Sequence, residues 1–141
     1  MIIDLTHTIS PETFVYPGTP RPAFSSTRTL THDGARETLL QIGSHTGTHM
    51  DAPAHMIDGA LTLDGCGADR FVGRGFVLDC RGQAQIRLDL LLRHEAAIRD
   101  ADFLLFCTGW DQYWGTDAYY EGFPCLTEEA ARFVAGLPLK G

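Results

Sequence analysis

The chain reads as one α/β (α+β) domain, a mixed β-sheet with flanking helices. Short apolar runs with strand-like spacing fill the first eighty residues, the apolar period lengthens from two to 3.6 in the second half, and a compact apolar run, Asp102 to Cys107, lies among the helical segments. With 141 residues and 44% hydrophobic content, the chain can bury one core and not two, so residues 1–141 are taken as a single domain.

In chain order, Ile2 to Leu5 reads as a short strand, and Pro11 to Pro22, holding four prolines and Gly18, as an irregular loop. Phe24 to Leu30 and Glu37 to Gly43 flank the turn-like Thr31-His32-Asp33-Gly34, which predicts a hairpin with a loop longer than two residues. Asp58-Gly59 and Asp64-Gly65 mark turns. Gly73 to Cys80 reads as a strand around Phe76, Val77 and Leu78. Leu88, Leu91 and Leu92 then share one face of a helix over 87–98, with His94 a solvated surface residue. Residues 127–136 read as a second helix with apolar positions 130, 133, 134 and 137. Leu137 to Gly141 follows as an αβ connection with no strand after it, so the domain is expected to lack its C-terminal part.

The densest chemistry is His45-Thr46-Gly47-Thr48-His49-Met50-Asp51-Ala52-Pro53-Ala54-His55. Residues 45, 49, 51 and 55 share parity and would share one face of an extended strand. A helix, at about 100° per residue, would turn Asp51 away from His45, and Thr46 stands where the helical HExxH motif needs glutamate. Gly47 leaves the space between the histidines open. Pro53 drives Ala52 extended and can swing His55 back on a short loop. Thr46 and Thr48 offer hydroxyls that could brace the ligands. Neutral imidazoles with a carboxylate suit Zn2+ or Mn2+, and three protein ligands leave a position for water, the arrangement of a catalytic ion. The alternative is a polar loop satisfied by hydrogen bonds, which any one of these histidines alone would suggest.

The run HTGTHMDAPAH resembles the motif of the cyclase family of metal-dependent amide hydrolases, of kynurenine formamidase and isatin hydrolase type. The similarity continues in Ile3-Asp4-Leu5-Thr6 with Tyr16-Pro17-Gly18, in Thr108-Gly109-Trp110-Asp111 with Trp114-Gly115, and in Leu126-Thr127 with Glu128, Glu129 and Ala130. By this resemblance the fold is a swivelling β/β/α arrangement, His45, His49 and Asp51 are ligands of one metal, and His55 is the acid/base. A second ion would need a histidine and a glutamate from a later segment, which this chain does not contain. The implied reaction is hydrolysis of an aryl formamide such as N-formylkynurenine to formate and the arylamine, or opening of a cyclic amide such as isatin. A metal-binding or assembly module without turnover is the reading from another class; His55 weighs against it, because a passive site needs no base.

Trp110, Tyr113, Trp114, Tyr119 and Tyr120 cluster in one stretch that reads first as core or interface; Tyr16 and Trp110 are the candidate substrate contacts. A formal charge of −7 without a basic stripe argues against nucleic acid. No run approaches membrane-spanning length, and no leader is apparent. Four scattered cysteines, Cys66, Cys80, Cys107 and Cys125, form no CxxC pair and suit a reducing cytoplasm. A homo-oligomer is expected, since an incomplete core exposes apolar surface.

Overall fold

The computed structural model describes residues 2–141, which divide into two compact units, the first running to Leu63 and the second Asp64–Gly141. The first unit is built on a hairpin. Strand β1 (Ala23–Arg28) pairs antiparallel with β2 (Glu37–Gln41), with Phe24 opposite Leu40 and a register shift between Ser26 and Arg28. The connection is a helical turn, α1 (Leu30–Asp33), rather than an open loop: the Asp33 carboxylate reaches back to accept from the Thr29 N–H at 2.8 Å, and Gly34 closes the turn at φ +71°. His32 therefore lies on a helical turn.

The expected strand at Ile2–Leu5 does not form. Asp4 Oδ1 instead accepts from the Thr6 N–H at 2.9 Å and from the Thr6 hydroxyl at 2.7 Å, a local arrangement that competes with a strand ladder. Ile2 and Ile3 remain exposed. Residues 11–22 are irregular, as their prolines dictate.

The second unit holds the apolar core. Strand β3 (Gly75–Asp79) pairs in parallel with β5 (Phe103–Cys107), with Leu78 opposite Phe106 and Val77 opposite Leu105. A shorter parallel pair joins β4 (Gln85–Ile86) to β6 (Cys125–Leu126). These two-residue strands carry too few positions for a period to be read from sequence. Leu78, Cys80, Ile86, Leu91, Ile98, Leu104 and Ala130 are buried together, and Phe76, Phe106, Phe133 and Val134 pack around them.

The helix expected over 87–98 is two: α2 (Leu88–Arg93) and α3 (Glu95–Arg99). His94 leaves helical geometry at φ −116° and ψ 13°, and its ring packs 5.9 Å from that of Phe76. It is exposed, as a surface histidine is expected to be, with its ring near that of Phe76 on β3. Leu91 and Ile98, one on each helix, are both fully buried, so the break still delivers both apolar faces to the core.

Helix α4 (Glu128–Ala135) begins where the sequence signals it. The Thr127 hydroxyl accepts from the Ala130 N–H at 3.4 Å, and Glu128 and Glu129 occupy the first turn, complementing the helix dipole. After it, the Lys140 N–H donates to the Asp102 carbonyl at 2.7 Å and the Leu104 N–H to that of Gly141 at 3.0 Å, so residues 140–141 run along β5. Among the described residues no helix is long and apolar enough to cross a membrane.

Candidate metal centre

Strand β2 stops at Gln41, four residues short of the first histidine. The Thr46 N–H then donates to the Gly43 carbonyl at 3.2 Å, and Gly47 takes φ +64°, a left-handed conformation that glycine adopts without steric cost. Residues 45–51 therefore form a reversal and not the extended strand that the parity argument requires. The candidate ligands converge because the chain doubles back between His45 and His49.

Three atoms meet at this reversal. His45 Nδ1 lies 2.9 Å from Asp51 Oδ1 and 3.1 Å from His49 Nε2, and His49 Nε2 lies 3.4 Å from Asp51 Oδ1. The histidine rings stand edge to face at 78° with centroids 5.0 Å apart. His49 Nδ1 is 2.8 Å from the Gly47 carbonyl oxygen. A carbonyl only accepts, so this contact calls for a proton on Nδ1, and in the neutral imidazole Nε2 then keeps its lone pair toward the other two groups.

This donor set fits a divalent ion. Ligand atoms about 2.0–2.1 Å from a tetrahedral ion stand roughly 3.3 Å from one another, close to the three separations seen here. His45, His49 and Asp51 form a group whose ligand atoms lie within 4.8 Å of each other. Two neutral imidazoles and one carboxylate match the borderline character of Zn2+ or Mn2+. Side-chain exposures of 43%, 31% and 51% leave the cluster open to water and to a small molecule.

His55 arrives as its flanking proline suggests. Ala52 is extended at φ −79° and ψ 155°, and Pro53 opens a tight helical turn, Pro53–His55. The His55 ring lies 4.3 Å from that of His45, centroid to centroid. It stands beside the cluster without being one of the three converging donors.

The remaining candidates are not among the three converging donors. The Thr46 side chain is buried, and its hydroxyl has no hydrogen-bond partner among the described residues, so it braces no ligand. Gly47 does more than leave space: a Cβ there would meet the Ile9 side chain at 3.3 Å. Tyr16 is exposed in the first unit. Trp110 belongs to the second, where its indole N–H donates to the Tyr119 carbonyl at 3.0 Å and its ring lies 4.7 Å from that of Tyr113. No cysteine belongs to the cluster. The Gly47 carbonyl and Ile9 escape a reading by residue type, because neither is a metal-binding group; the only hint in the sequence is a glycine placed between two histidines.

Fold and site together define a mixed α/β protein with a solvent-open cluster of two histidines and an aspartate suited to a divalent metal. The chain belongs to the Cyclase family, whose model ("Putative cyclase") matches residues 3–140. It is similar to a kynurenine formamidase from Salinibacter ruber, 34% identical over 85 residues that make up 59% of this chain and 40% of that protein. Isatin hydrolase A from Labrenzia aggregata, solved bound to benzyl benzoate, shares the fold with a TM-score of 0.74 and 27% identity over 95% of this chain and 62% of that one. A further structure, described as a "Potential Metal-Dependent Hydrolase With Cyclase Activity", gives a TM-score of 0.71 at 29% identity over 97% of this chain and 63% of that one. The chain thus spans less than two thirds of the length of each of these relatives.

Proposed function

We propose that this chain is a divalent-metal-dependent amide hydrolase acting on an aryl formamide of the N-formylkynurenine kind. The observation that carries the reading is the convergence of His45 Nδ1, His49 Nε2 and Asp51 Oδ1 on one point, with the His55 ring 4.3 Å from that of His45. When bound, zinc or manganese supplies a Lewis acid that polarises the amide carbonyl and acidifies water.

The chain's own groups do the rest. His45 and His49 offer imidazole lone pairs, and Asp51 offsets one of the two positive charges. His55 takes the proton from the attacking water and returns it to the departing nitrogen; the C–O bond forms, the C–N bond breaks, and formate and arylamine leave. Imidazole suits this role because it gains and loses a proton near neutral pH. Tyr16, which lies in the same unit as the three donors, is the proposed contact for the aryl ring. The set His45, His49 and Asp51 supports one ion. The scattered cysteine positions, which form no CxxC pair, support a cytoplasmic location.

A cyclic amide such as isatin is the second reading, supported by the likeness to isatin hydrolase over 95% of the chain. Metal content measured alongside hydrolysis of N-formylkynurenine and of isatin distinguishes the cases. Stoichiometric metal with turnover of either amide supports a hydrolase and names its substrate form. Stoichiometric metal without turnover of any amide overturns it in favour of a passive metal-binding module.

A further inference from the structure

Residues 8–13 are held in a closed turn by one buried hydroxyl. Thr13, 8% exposed, accepts from the Ser10 N–H at 2.7 Å through its Oγ1, donates that hydroxyl to the Thr8 carbonyl at 3.4 Å, and donates its own N–H to the Ser10 carbonyl at 3.0 Å. Ile9 lies between the two residues so held and is 37% exposed. Its Cγ1 lies 3.3 Å and its Cδ1 3.6 Å from the point a Cβ on Gly47 would occupy.

Glycine is the residue whose backbone is least restrained by its own atoms. At Gly47 that freedom would be costly, because the Gly47 carbonyl accepts from His49 Nδ1 and so decides where Nε2 points. The side chain that lies against the bare face of Gly47 is Ile9.

The geometry points to Ile9 as a positioning residue for the metal centre: locked by Thr13, it packs on Gly47 and so fixes the carbonyl that aims His49 Nε2 at His45 and Asp51. This rests on the proposed ligand set and extends it to a residue that touches neither metal nor substrate. Groups that orient metal ligands are typically worth about 10–100-fold in affinity.

The test uses Ile9→Ala and Ile9→Val, with two readings on folded protein. Zinc affinity, measured by chelator competition, is expected to fall about tenfold in Ile9→Ala and to be largely restored in Ile9→Val. The His49 tautomer in metal-free protein, read from long-range 1H–15N correlations above the titration of imidazole, is expected to be Nδ1–H in the parent and mixed in Ile9→Ala. The tautomer decides. If Ile9→Ala keeps the single Nδ1–H form, the inference is overturned whatever its zinc affinity. If the parent takes up no zinc, the ligand assignment fails, while loss of the tautomer in Ile9→Ala still supports the positioning role. Should Ile9→Ala not fold, Thr13→Val removes the lock, leaves Ile9 in place and gives the same two readings.

Discussion

The Gly47 carbonyl oxygen and His49 Nδ1 lie 2.8 Å apart, so the glycine that turns the chain also sets which nitrogen of the histidine two residues on faces Asp51. Ligand direction at this site is thus a backbone property as much as a side-chain one.

The proposed division of labour between ligands and base predicts separable losses. Asp51→Ala is expected to lose both bound metal and hydrolysis, since two imidazoles alone leave the ion's charge uncompensated. His55→Ala should keep stoichiometric metal and lose about 10²–10⁴ in kcat. Metal analysis and formamide hydrolysis on the same preparations check this; equal metal loss in the two variants would make His55 a ligand.

Thr46 predicts a gain. Its buried hydroxyl lacks a partner, and an unsatisfied buried polar group costs about 1–3 kcal/mol. Thr46→Val keeps the shape and removes the hydroxyl, so metal-free protein should be stabilised by about 1 kcal/mol in denaturant unfolding. A destabilised Thr46→Val would mean that the hydroxyl is hydrogen-bonded in solution.

Gly73 is confined by a close approach. A Cβ there would fall 2.5 Å from the Asp102 Cβ and 2.6 Å from its Cγ and Oδ2. Asp102 cannot easily give way, because its Oδ2 accepts from the Arg74 N–H at 2.8 Å and its Oδ1 is 3.6 Å from Lys140 Nζ. Gly73→Ala is therefore expected to cost about 1–3 kcal/mol, and less in an Asp102→Gly background, which removes the Cβ together with the carboxylate. A double-mutant cycle of unfolding free energies checks the coupling.

Asp79 predicts a pH dependence. Hydrogen bonds from the Arg81 side chain, at 2.9 Å and 2.7 Å, and from its backbone N–H lower the Asp79 carboxyl from the usual 3.8 to about 2. Because the folded value is depressed, this group's stabilisation is complete above the unfolded pKa and is lost as pH falls from about 4 toward 2. The pair is well exposed, so the effect is small. The stability difference between parent and Asp79→Asn, followed by denaturant midpoints from pH 5 to pH 2, should shrink toward the acid end; a constant difference would mean that the pair does not form in solution.

Much of the second unit was legible because its elements are long enough for a period to accumulate. The strand read at Gly73 to Cys80 is β3 at Gly75–Asp79, that at Asp102 to Cys107 is β5 at Phe103–Cys107, and the helix over 127–136 is α4 behind its Thr127 cap. The hairpin was also legible, but its helical turn was not, since the Asp33 contact with Thr29 is a choice among local hydrogen bonds that composition does not rank. The same competition removed the expected strand at residues 2–5, where Asp4 bonds to Thr6. At His94, a tertiary contact with Phe76 accompanies the break in a helix that periodicity alone runs straight through.

By itself, the sequence determined the identities of the clustered groups and the role of Pro53, because donor chemistry and proline's fixed φ belong to individual residues. Shared parity at 45, 49 and 51 pointed to an extended strand, and the backbone chose a reversal through Gly47 instead. Only tertiary structure decided that route, the tautomer of His49 and the packing of Ile9 on Gly47. Each depends on where a carbonyl or a distant side chain comes to rest in space, and neither spacing nor residue type encodes that.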